Sequence, residues 1–137
     1  MSKDYSALRT GEVNASFLKI LGAHIVAFDT DVQSCTMSFD VSTEFCHSVD
    51  VVQGGFVTVM LDAVSSHAVI AADPAVSKVS SLEIKVSFLE ATRAGKLRAV
   101  GHVQKIGGSI AFLTAELFNS DDVLTATATT TAKIRRI

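Results

Sequence analysis

The chain has only two cysteines, Cys35 and Cys46, among its 137 residues. They do not form a metal-ligand spacing, and they read as the reduced thiols of an intracellular protein. A single proline, Pro74, leaves long stretches free of helix breakers. An excess of positive charge is also missing: 12 basic and 14 acidic residues give a net charge of −2. Nucleic acid is therefore not expected as a partner, because phosphate backbones select a basic patch. The N-terminus, Met1-Ser-Lys-Asp-Tyr-Ser, is polar and lacks the apolar segment of a signal peptide. The expected location is the cytoplasm. Repeats, low-complexity tracts and linkers are absent, so residues 1–137 are read as one domain.

What is present is apolar residue in quantity, 48% of the chain, enough for a substantial core. It is most concentrated in Gln53–Ala72, which holds no proline and places Gly54 and Gly55 at its start. Asp73-Pro74 closes the stretch, since a residue before proline is pushed out of the helical region. Such a helix is about 28 Å long and apolar on most of its circumference, as a buried helix is. Its one charge at neutral pH is Asp62, near the middle. A carboxylate there argues against a lipid-spanning segment. It requires a structural partner or a chemical task.

Around this helix the pattern is short. Asn14 is placed to cap a helix over about residues 14–21, which Gly22 would end. His24–Thr30 and Ser34–Val41 read as strands, and Ser42–Val52 as a loop carrying Cys46, His47 and Asp50. After Pro74 the period becomes two. Leu82, Ile84, Val86 and Phe88 alternate with Ser81, Glu83, Lys85 and Ser87. Lys96–Ile106, Ser109–Phe118 and Val123–Ile134 follow as strands, the first two joined at Gly107-Gly108. The class is α+β: a short helix, two strands, a long helix and four strands. One antiparallel sheet curling around the helix would cover one side of it. The remaining apolar surface calls for a partner subunit.

At 100° per residue, Gly55, Thr58, Asp62, Ser65, Ser66 and Val69 fall within an arc of about 100°. This polar stripe is the natural face for a site. The helix N-terminus is a second resource, with unpaired amides and a dipole that favours negative charge. At Gly54 and Gly55 a ligand can approach the backbone closely, as an oxyanion hole requires. Asp62 and Gly54 are eight residues apart, about 12 Å along the axis. One helix cannot offer both to one carbonyl. Two antiparallel helices crossing near Thr58 in a two-fold dimer can.

The run from His47 through Gln53-Gly54-Gly55 to Leu61-Asp62-Ala63 resembles the signature of hotdog-fold acyl-CoA thioesterases, in particular the PaaI-like group, which includes 4-hydroxybenzoyl-CoA thioesterases. Ser81-x-Glu83-Ile84-x-Val86-x-Phe88-Leu89, Gly95-Lys96-Leu97 and Lys105-x-Gly107 resemble the same family. The resemblance implies a hotdog fold, a curved antiparallel sheet wrapped around the Gln53–Ala72 helix. It implies an acyl-CoA substrate, no metal or redox cofactor, and a homodimer that pairs into a tetramer. Asp62 would be nucleophile or general base, and the Gly54 amide the oxyanion donor. Ser81 would position the water and Ser66 would support the carboxylate. Gln53, Gly55 and Thr58 would line the substrate site, and Lys105, Gly107, Gly108 and Ser109 would meet the coenzyme A phosphates. His47 stands where the family has Asn, and Gln53 where it has His. An imidazole titrates near neutrality, so rate is expected to follow pH if His47 meets the substrate. Phe56, Met60, Phe88 and Phe112 are candidates for the acyl pocket. Two other readings are a non-catalytic acyl-CoA-binding module and an enoyl-CoA hydratase, although the hydratases' Asp-x-Asn-Pro-x-His loop is missing.

Overall fold

The computed structural model describes residues 3–6 and 8–137. Its elements run β1 (Gly11–Glu12), α1 (Ser16–Ile20), β2 (His24–Asp29), β3 (Ser34–Val41), a 3-10 turn at Thr43–Phe45, β4 (Cys46–Ser48), β5 (Val51–Val52), α2 (Gly54–Ala72), β6 (Val76–Phe88), β7 (Gly95–Ile106), β8 (Ile110–Phe118) and β9 (Leu124–Arg136). Seven strands form one antiparallel sheet in the order β1-β2-β3-β7-β8-β9-β6. The sheet packs around α2, which lies against β7, β3 and β8 and touches β6 and β9. This is the expected α+β class and the expected layout.

The packing follows from the alternation of side chains. Leu97, Ala99, Val103, Leu113, Ala115, Leu117, Ala126 and Ala128 turn inward, and α2 answers with Val57, Met60, Leu61, Val64 and Ala68. Burying a Leu, Val or Met side chain contributes about 1.5–3 kcal/mol. Small residues opposite the helix let it sit close. At Gly101 of β7 a Cβ would overlap the Val64 carbonyl, so the helix rests directly on the strand backbone. Among the described residues α2 is the only helix long and apolar enough to cross a membrane, and it is the core helix of this domain. Cys35 and Cys46 are free thiols. Burial pushes the Cys35 thiol up to about 12, so it stays protonated and inert.

The structure departs from the sequence reading in three places. Helix α1 spans Ser16–Ile20, and its N-cap is Ala15, with no side-chain cap; Asn14 lies outside it. The 42–52 segment is more than a loop, since β4 and β5 pair within it. Strand β6 begins at Val76, and its period slips at Leu82. Between Ser81 and Glu83 it carries one residue more than β9, so Leu82 is an unpaired bulge with 60% exposure. Val79 and Ser81 therefore face the helix together with Ile84 and Val86, while Leu82 does not. Arg136, near the end of β9, is held by three partners. It bonds the Asp73 carboxylate through Nε at 2.8 Å, and the Gly107 and Gly108 carbonyls through its other nitrogens.

That last contact ties the end of α2 to the β7–β8 hairpin and the last strand. The hydrogen bond from Arg136 holds the Asp73 carboxyl below its ordinary range, helped by the Ala75 amide and the Lys3 charge against the opposing effect of burial. A depressed carboxyl stabilises the fold above its unfolded pKa of about 4 and loses that contribution as pH falls through the folded value. Asp73→Asn is therefore expected to lower stability by about 1–2 kcal/mol at pH 7. The gap from wild type should narrow as pH falls below that unfolded value. Urea unfolding at neutral and at acid pH checks this.

Candidate active site

Asp62 lies midway along α2, half-buried, on the side of the helix next to β6. Its Oδ1 accepts a 2.6 Å hydrogen bond from the Ser81 hydroxyl. The bulge at Leu82 makes this possible, because strict alternation would have turned Ser81 away. Ser66, one turn further on, is half-buried and makes no hydrogen bond to Asp62; the carboxylate's partner is on the strand. Ser65 is not on an open stripe at all. It is wholly buried, and its hydroxyl returns to the Leu61 carbonyl at 2.8 Å. Val69 is likewise wholly buried. The exposed part of α2 is instead a band of half-buried residues: Thr58, Val59, Asp62, Ala63, Ser66, His67 and Ile70. Their spacing of three and four puts them on one side of the helix.

The N-terminus of α2 is built by Gln53, its N-cap. The Gln53 Oε1 accepts from the Gly55 amide at 2.7 Å, and the Gln53 carbonyl accepts from Phe56 and Val57. The Gly55 amide is thus engaged internally. Of the first-turn amides, Gly54 alone has no protein acceptor among the described residues. Thr58 spends its hydroxyl on the Gly54 carbonyl at 2.9 Å.

Gly54 opens onto a cavity of about 440 Å³, lined also by Val51, Val52 and Val57, by His47, and by the Phe88–Thr92 segment. His47 is exposed there and shares a 2.8 Å hydrogen bond with the Ser48 hydroxyl. Of the four acyl-pocket candidates, only Phe88 lines this cavity. Phe56 packs edge-on against Phe45 at 4.9 Å, Met60 is wholly buried, and Phe112 sits on the outer face of β8. The Phe88 ring would meet a Cβ on Gly54 at 3.1 Å, so glycine is what admits the ring over the helix end. Sequence reading missed Leu89–Thr92 as a cavity wall, because these residues carry no pattern of their own. Their place is set by Leu89 and Glu90 amides bonding the Thr125 carbonyl.

The residues expected at the coenzyme A phosphates lie outside this cavity, on the β7–β8 hairpin. Lys105, Gly108 and Ser109 are exposed on the β7–β8 hairpin with Gly107, which Arg136 fastens to Asp73 at the C-terminal end of α2. Within one chain that end lies about 28 Å along the helix from Gly54. Among the described residues, no three His, Cys, Asp or Glu side chains are grouped to hold a metal.

A curved antiparallel sheet folded around one long helix is the layout of the hotdog fold. The sequence profile of the thioesterase superfamily matches residues 50–126, over half of the chain, and the chain belongs to that superfamily. Among solved structures, it resembles a phenylacetic acid degradation-related protein from Ralstonia eutropha at 30% identity, over 89% of this chain and 92% of that one, with a TM-score of 0.81. The PaaI protein of the Escherichia coli phenylacetic acid degradation operon is 19% identical over 90% and 86%, with a TM-score of 0.78. A thioesterase from Haemophilus influenzae is 20% identical over 88% and 83%, with a TM-score of 0.77. No curated protein matches the sequence. The general activity is thus hydrolysis of an acyl thioester.

The glycine at 54 is testable for tolerance. Since the Phe88 ring is 57% exposed and free to yield, Gly54→Ala should change stability by less than about 1 kcal/mol. Any penalty should vanish in a Phe88→Ala background. A thermodynamic cycle from urea melts measures this.

Proposed function

We propose that the chain hydrolyses acyl-CoA thioesters to a free carboxylic acid and coenzyme A, in sites shared by two copies of the chain. The observation that carries this reading is the Asp62–Ser81 pair on a half-buried helix face. Ser81 occupies Oδ1 and so fixes the rotamer of the carboxylate. Oδ2 is left to take a proton from water or to attack the thioester carbon directly. In the water route, the hydroxyl adds to the carbonyl carbon and its proton passes to Asp62. The carbonyl oxygen becomes an oxyanion held by the Gly54 amide. Collapse of the tetrahedral species breaks the carbon–sulfur bond, and the thiolate leaving group takes up the proton. No metal or redox cofactor enters this scheme.

Asp62 and Gly54 of one helix remain about 12 Å apart, too far to share a reacting carbon. The dimer supplies the remedy: antiparallel helices cross near Thr58, and each Asp62 meets the partner's Gly54. Two features support it. The half-buried band through Thr58, Asp62, Ser66 and Ile70 is uncovered by the sheet. Strand β6 is an outermost strand, with Leu82 and Phe88 exposed along it. A tetramer would pair two such dimers. The likeness to phenylacetic acid degradation proteins puts aryl-acyl thioesters first among candidate substrates.

Free-thiol release from a panel of aromatic and aliphatic acyl-CoAs tests the reading. Turnover of at least one is expected, falling by about 10²–10⁴ in Asp62→Asn. Ser81→Ala should lose roughly tenfold in kcat with KM little changed. Full activity in Asp62→Asn would remove the mechanism, and binding without turnover across the panel would favour a non-catalytic acyl-CoA module.

A further inference from the structure

Strand β9 departs from regular pairing at Thr125. Leu117 of β8 pairs with Ala126 and Phe118 with Leu124, so β9 carries one residue more than its neighbour there. Thr125 is that residue, and the alternation breaks with it: Thr125 and Ala126 are wholly buried in succession. A hydroxyl placed in a core needs partners. That of Thr125 donates to the Leu117 carbonyl at 3.3 Å and accepts from the Thr92 hydroxyl at 2.8 Å. Thr92 is itself buried. The Thr125 carbonyl accepts the Leu89 and Glu90 amides, at 2.8 and 3.1 Å. One bulged residue thus holds both ends of the Leu89–Thr92 segment, which is the cavity wall beside Gly54. The bonds continue from there into the helix entry. The Thr92 carbonyl accepts the amide of buried Val52 at 2.8 Å, and the residue after Val52 is Gln53, the N-cap of α2. The Gly54 amide therefore stands two residues from a point that Thr92 and Thr125 fasten to the backbone of β8.

We propose that Thr92 and Thr125 are positioning residues for thioester hydrolysis, their buried hydroxyl pair aiming the Gly54 amide at the thioester oxygen. The assignment rests on the oxyanion role given to Gly54 above and names what holds that donor in place. An oxyanion donor must stand about 2.7–3.1 Å from the developing charge before it forms. A displacement of about 1 Å costs roughly a hundredfold in rate. A helix cannot fix its own first amide, because that amide has no intrahelical partner. The Gln53 amide bonds the Phe45 carbonyl at 2.9 Å, which ties the entry only to its own 42–52 segment. The Arg93–Asp50 ion pair reaches across to the wall, but both side chains are exposed and the pair is screened by water. The threonine pair is shut away from solvent, where a hydrogen bond is stronger and its loss leaves an unpaired group. Neither hydroxyl bonds Asp62, Ser81 or Gly54, so both act through the Val52 amide.

The test sets Thr92→Val and Thr125→Val, singly and together, against Thr92→Ser and Thr125→Ser. Valine keeps the shape and removes the hydrogen bond; serine keeps the hydrogen bond and removes a buried methyl group. The substrate is the acyl-CoA that wild type hydrolyses fastest on the panel above. In the valine variants kcat should fall roughly tenfold to a hundredfold with KM little changed. The double variant should be no worse than the worse single one, because the two share one bond. The serine variants should keep the kcat of wild type. Undiminished kcat in the valine variants, or an equal loss in the serine variants, overturns the proposal and leaves thioester hydrolysis standing. If Thr125→Val does not fold, Thr92→Val decides, since it leaves the Thr125–Leu117 bond in place. A wild type inactive on the whole panel removes the catalytic reading instead, and amide hydrogen exchange then decides the positioning. The Val52 amide should exchange about tenfold or more faster in the valine variants, with that of Val64 inside α2 unmoved. Equal acceleration of both amides, or none, overturns it.

Discussion

The need to cover a nineteen-residue apolar helix governs this structure. Helix α2 carries one charge and would not persist in water alone, so the sheet bends around it. The closeness of that contact is set at Gly101, where the helix lies on bare strand backbone. Ser65 obeys the same constraint. It is polar by composition, yet it is pressed against the strand and returns its hydroxyl to its own helix. The sheet covers only part of the circumference. What it leaves, the band through Thr58, Asp62 and Ser66, is where chemistry and a partner have access.

Much of this was legible in the residues. The absence of proline from Gln53–Ala72 and the Asp73-Pro74 stop mark the long helix to within a residue of its observed start and at its observed end. Period-two alternation gives the later strands, because each has one buried and one open face. Two kinds of information were not local. A helical wheel cannot tell which side of α2 meets the sheet, so it grouped the buried Ser65 and Val69 with the half-buried Asp62. Nor does alternation reveal where a strand gains a residue; the slip at Leu82 depends on pairing with Thr131 and Ala132 of β9, about fifty residues further along the chain. Asn14 illustrates a third limit. A good capping residue lay one position before the N-cap, and the helix begins at Ser16 behind Ala15, without a side-chain cap.

The two ends of α2 are handled differently. At its start, Gln53 satisfies the Gly55 amide and leaves that of Gly54 open to the cavity. At its finish, Lys3 bonds the Ala72 carbonyl, while Asp73 and Arg136 fasten the end to the hairpin. One end is left available and the other is fixed. This matches a helix whose N-terminus must receive a ligand while its far end only holds position.

Leu82 carries a consequence for how this chain tolerates change. As an unpaired residue between Ser81 and Glu83, it acts as a phase shift in β6. Were Leu82 drawn into the regular ladder with no residue lost, the residues before it would change faces relative to those after it. Ser81 would then turn to the outer face, and Asp62 would lose its hydrogen-bond donor although neither residue had been substituted. A comparison of chains that tracks only the identities of these two residues would miss the difference. The register of the strand between Val79 and Ile84 is as much a part of the site as the side chains themselves.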